Sequence, residues 1–136
     1  MSRVMGRRTA GLLTAVGLAG GALVLGAVPA NADVERRGTC SAGSSWDVDI
    51  ERERGVFDID VEVQSQTSGE NWQLVVTQNG KRVFSSTLPS RQDSDDRYAD
   101  VDWIFTAKNT PRVRDRFQFV ATNQTTGEVC RVSVSA

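Results

Sequence analysis

The chain has 136 residues, 16 of them basic and 17 acidic, and it contains no histidine. Without an imidazole it has neither a Ser-His-Asp triad nor a His-ligated metal. A net charge of −1 excludes the concentrated basic surface that binding to a nucleic-acid backbone demands.

Residues 1–32 read as a signal peptide. Arg3, Arg7 and Arg8 form a basic start, an Ala/Gly/Leu/Val run extends from Thr9 to Val28, and Ala30-Asn31-Ala32 has the A-x-A form of a cleavage site. The run is about long enough to span a bilayer, but its glycines, Pro29 and the cleavage pattern favour removal. A secreted, extracellular protein is therefore expected, with no membrane association after cleavage. The Arg7-Arg8 pair leaves the general secretory and twin-arginine routes both open. Beyond residue 32 remain 13 basic and 17 acidic residues, a net charge of −4.

Residues 33–43 form a lead-in that carries Cys40, and 44–136 form the domain. Gly55, Gly69, Gly80, Pro89, Pro111 and Gly127 break the domain into seven runs: 44–53, 56–65, 71–78, 81–88, 97–106, 115–123 and 128–135. Apolar and polar residues alternate within each run, which predicts half-buried strands and an all-β, seven-strand antiparallel sandwich. The alternation also names a core. It takes Trp46, Val48 and Ile50 from the first run, and Phe57, Ile59, Val61 and Val63 from the second. Trp72, Leu74 and Val76 come from the third, Val101, Trp103 and Phe105 from the fifth, and Phe117, Phe119 and Ala121 from the sixth. Cys130, Val132 and Val134 complete it. Cys40 and Cys130 are the only cysteines; an even count in an exported chain predicts one disulfide. Its long loop makes it worth ~4–5 kcal/mol on chain entropy. The spacing is not C-x-x-C, so the pair reads as structural and not redox-active.

The run Asp115-Arg-Phe-Gln-Phe-Val-Ala-Thr-Asn123, the turn at Gly127 and the closing strand resemble the last two strands of fibronectin type III and other immunoglobulin-like modules. Trp72 sits where such sandwiches often place a core tryptophan. The disulfide between second and sixth strands and the tyrosine corner are missing. The leader, the 11:2 ratio of arginine to lysine beyond it and the size resemble small secreted actinobacterial proteins of unknown function. That resemblance implies export and a sandwich, and no activity.

A hairpin turning at Arg54-Gly55 would pair Trp46 with Val63, Val48 with Val61 and Ile50 with Ile59. The same register sets Asp47 against Glu62, Asp49 against Asp60 and Glu51 against Asp58 on the outer face. If the fifth strand lies beside the second, Asp100 and Asp102 join them. Like charges directly opposite destabilise a sheet. Three readings compete: a solvated face that protects against aggregation, a calcium or other cation site, and a surface for a basic partner. A flat sheet cannot surround an ion, and no D-x-D-x-D-G loop is present. The connection 91–97, with Asp93, Asp95 and Asp96, lacks the glycine and distal glutamate of a calcium loop. A carboxylate-based hydrolase needs a cleft and one desolvated acid, which an open face does not supply.

A second hairpin signal is Asn79-Gly80. A two-residue turn there would pair Val76 with Val83 and Val75 with Phe84, bringing Val75, Phe84 and Leu88 together outward, either as an apolar contact patch or as a sandwich edge over which the loop 89–97 folds. Arg112, Arg114 and Arg116 form a basic stretch, and Asn123-Gln124-Thr125 matches a glycosylation acceptor. The sequence thus leads to a secreted, non-catalytic, monomeric binding module with no obligatory cofactor. Its partner would be an extracellular protein or cell-surface component. A calcium-binding extracellular domain is the alternative, and a hydrolase the more distant one.

Overall fold

A computed structural model describes residues 33–92 and 97–136. The predicted leader and the acids Asp93, Asp95 and Asp96 lie outside the described residues. Asp33–Ala136 is one compact unit that contains every described strand, the core and the disulfide.

Nine strands are described: β1 (Val34–Thr39), β2 (Ser45–Glu53), β3 (Val56–Ser65), β4 (Asn71–Gln78), β5 (Lys81–Pro89), β6 (Arg91–Gln92), β7 (Ala99–Lys108), β8 (Arg116–Asn123) and β9 (Val129–Ser135). They form two antiparallel sheets, ordered β1-β2-β3-β7-β6 and β9-β8-β4-β5, so the fold is all-β and is not a barrel. The core residues named by alternation lie between the sheets; Trp46, Phe105 and Val132 are only partly buried.

The count of nine corrects the seven strands expected. β1, with the sequence V-E-R-R-G-T, has no apolar alternation because it buries no full face: Val34 and Gly38 are half-buried and its other residues are exposed. It turns part of the supposed lead-in into sheet. β6 is two residues long, too short for any period to show.

Two turns fix the hairpins. Arg54 and Gly55 have φ of 53° and 80°, and Asn79 and Gly80 have 53° and 84°. Both pairs are left-handed, as a two-residue turn matching the strand twist requires. The first hairpin keeps its predicted register throughout, from Glu53 opposite Val56 to Trp46 opposite Val63. The second does not. Gln78 faces Lys81 and Thr77 faces Arg82, but a bulge then sets Val76 opposite Phe84 and Val75 opposite Ser85. Val83 is the extra residue. The shift turns Phe84 inward, where its ring stacks on Phe105 with centroids 4.0 Å apart. Leu88, opposite Trp72, is on that inward side too. The predicted patch of Val75, Phe84 and Leu88 therefore does not share one face; Val75 alone points outward.

The sandwich is closed differently at its two edges. Cys40, just after β1, is bonded to Cys130 in β9, as the cysteine count predicted. At the opposite edge, the Phe84–Phe105 stack joins β5 to β7. Buried polar residues hold the ends. The Glu128 carboxylate accepts from the Ala42 and Ser44 N–H groups and from the Ser44 hydroxyl. Asn123 is 1% exposed. Its amide donates to Glu70, and its carbonyl accepts from the N–H groups of Thr125 and Thr126. That use leaves no glycosylation acceptor on the folded surface.

Candidate functional site

Period two puts alternate residues of β2 and β3 on the outer face of the five-stranded sheet, and the tight Arg54-Gly55 turn sets them in register. Asp47 stands opposite Glu62, Asp49 opposite Asp60 and Glu51 opposite Asp58. On the other side of β3, β7 sets Asp102 opposite Glu62 and Asp100 opposite Gln64. All eight predicted carboxylates thus share one sheet face. β1 adds another, Glu35, opposite Asp49. Nothing in the V-E-R-R-G-T run announced it, because this strand buries no full face and so shows no alternation.

Glu35, Asp47, Asp49, Asp60, Glu62 and Asp102 line a shallow groove of about 210 Å³. Arg37 closes one end, with its guanidinium 3.0 Å from Asp47 and 2.9 Å from Glu35. The remaining repulsion is visible in the proton affinities. Partial burial, then Glu35, Asp33, Asp47 and Asp60, raise the Asp49 carboxyl above its ordinary value. Asp60 is raised by burial and then by Asp102 and Asp47. Glu62 is raised by burial and then by Asp102 and Asp100. Burial raises Asp102, whereas Glu51 is raised chiefly by Asp33 and Asp49.

Ile104, opposite Asp60, stands on this face and is 77% exposed. It escaped notice in the sequence although its parity, between inward Trp103 and Phe105, already turned it outward.

The groove is open, and its acids lie side by side on a sheet. No group of three or more His, Cys, Asp or Glu among the described residues is arranged to hold a metal ion. The two buried carboxylates among the described residues serve the fold. Glu128 holds the 42–44 loop, and Asp115 accepts from the Asn79 amide and the Thr110 N–H. Burial alone would raise Asp115, but hydrogen bonds from Thr110, Gln78 and Asn79 outweigh it and lower its pKa. Arg112 and Arg114 are exposed in the loop before β8, and Arg116 begins that strand. Among the described residues, no helix is long and apolar enough to cross a membrane.

Fold and surface together define a disulfide-closed, two-sheet β protein with one strongly acidic sheet face. Compared with protein-family models, curated proteins and solved structures, the chain matches none.

Proposed function

We propose that the chain is an exported, non-catalytic binding module of immunoglobulin-like build, which docks a basic partner on its acidic sheet face. The observation that carries this reading is the groove of six carboxylates beside an exposed isoleucine. Opposed acids with raised proton affinities store repulsion that a cationic surface relieves on contact, and Ile104 offers it an apolar anchor. The immunoglobulin-like assignment is supported by the strand order: β2-β3-β7 facing β9-β8-β4-β5 matches the two sheets of such sandwiches, with β1 as an addition. Export is supported by the leader pattern and agrees with a disulfide.

The test is calorimetric titration of oxidised Asp33–Ala136 with nona-arginine at low and high salt. Binding is expected to weaken steeply with salt and to fall about tenfold in Asp60→Asn/Glu62→Gln. Equal binding to that variant would overturn the reading. A rise in melting temperature with calcium but not magnesium, lost in Asp60→Asn, would replace docking by cation binding.

A further inference from the structure

The two sheets carry net charges of opposite sign. All ten carboxylates in the described strands belong to the five-stranded sheet. Its cations are Arg36, Arg37, Arg52, Arg91 and Lys108, which leaves a net charge of −5. The four-stranded sheet has no Asp or Glu in any strand and carries Lys81, Arg82, Arg116 and Arg131, a net charge of +4.

The outward side of the four-stranded sheet is also apolar at its centre. Val75 of β4 and Val120 of β8 are directly paired there, and both are half-buried. Thr77, Gln118 and Thr122 surround them. Arg131 pairs with Val120, Arg82 faces Thr77, and Arg116 begins the same strand as Val120. Each outer face therefore has an exposed or half-exposed aliphatic centre within a charged surround, and the two surrounds have opposite sign.

We infer that the basic partner of the acidic face is a second copy of this chain, seated by the outer face of its four-stranded sheet. Ile104 of one copy packs on Val75 and Val120 of the next, and Arg82, Arg116 and Arg131 lie over the carboxylate ladder. This inference rests on the docking reading above and names its partner; it replaces the monomer expected from the sequence. The surfaces are different, so the contact is heterologous and propagates in rows unless a ring closes. A face of four strands, seven to nine residues long, covers about 19 × 26 Å. That buries roughly 500 Å² a side, at the weak end of specific interfaces. Association is accordingly micromolar or weaker and is governed by ionic strength.

Sedimentation velocity of oxidised Asp33–Ala136, from micromolar to near-millimolar concentration, tests it. At low salt the weight-average sedimentation coefficient should rise with concentration. At about 0.5 M salt, where the Debye length is roughly 4 Å, the rise should vanish. Arg82→Glu/Arg131→Glu and Asp49→Lys/Asp60→Lys should each stay monomeric, and mixing the two should restore association. Ile104→Ser should weaken it about tenfold. Amide shift perturbations on dilution of the unaltered chain, expected on both outer faces, give a readout that needs no variant. A chain that stays monomeric at low salt overturns the inference, as does association that persists at high salt. If the monomeric chain still binds nona-arginine through Asp60, docking stands and self-stacking falls; if it binds nothing, both fall.

Discussion

Asp60 has acids on both flanks. Across one strand pair it faces Asp49, Asp47 and Asp102 lie diagonally on the two neighbouring strands, and Glu62 follows two residues along its own strand. Its shift comes first from burial and then from Asp102 and Asp47, so the charged carboxylate is less favourable in the fold than in the unfolded chain. Asp60→Asn should therefore stabilise the domain at low salt by ~0.2–1 kcal/mol, the range of a cross-strand pair, reduced by solvent screening. The gain should fade at high salt; a loss of stability would mean that the carboxylate makes a favourable contact. The same groups set a pH profile. A carboxyl with raised pKa binds its proton earlier in the folded state, so its penalty is complete well above that pKa and disappears as pH falls toward the ordinary value. For Asp49, Asp60 and Asp102 that value is 3.8, and for Glu51 and Glu62 it is 4.5. Asp115 has the opposite sign: its contribution is full above 3.8 and is lost as pH falls through its lower folded value. Melting temperature should thus increase from neutral pH down toward the ordinary carboxylate range and decline below it. A monotonic fall from pH 7 would contradict the shifts.

At the scale of strands, Gly38 shows how tightly β1 is laid on its neighbour. A Cβ built there would sit 2.5 Å from the Trp46 ring, so only glycine lets the indole lie across the rim strand opposite it. Gly38→Ala should cost ~1–3 kcal/mol by overpacking and should shift Trp46 emission to the red as the ring is displaced. Unchanged emission and stability would show that the strand yields without strain. The hairpins explain which elements were readable. In β2–β3 the turn chemistry and the alternation agree, and every predicted pair, including the acidic ladder, is present. In β4–β5 the turn was recognised, but a bulge adds one residue without altering any composition signal, and beyond it the facing of each side chain inverts. Phe84 thereby moved from surface patch to edge stack. β1 was illegible because it buries no full face, Val34 and Gly38 alone being half-buried, and its glycine answers to a tryptophan eight residues away. Ile104 was legible by parity alone and needed only the strand to be followed through.

For the whole molecule, the seven longer runs, the faces of all of them but the bulged β5, and the disulfide were implicit in alternation and cysteine count, because burial of a two-sheet core constrains the strands together. What each face does was not implicit: a run of aspartates looks alike whether it is solvated, metal-bound or docked. The covalent closure has its own measurable weight. Cys40→Ser should lower stability by ~4–5 kcal/mol on the loop-entropy account and the melting temperature by well over 10 °C for a domain this size. The remaining fold should be kept, with the same far-ultraviolet spectrum; an unchanged melt would mean that the bridge does not form.

That bridge also changes what a protease can accomplish. Cys40 and Cys130 are 90 positions apart, so nearly all of the compact unit lies inside one covalent ring, with only short tails beyond it. A single peptide-bond cleavage anywhere in the ring opens it into a linear chain but detaches nothing. The severed ends stay tethered, close to the partners from which they were cut. Two cuts, or one cut followed by reduction, are needed before a fragment can leave. In a medium rich in proteases and poor in thiols, the nicked molecule stays whole.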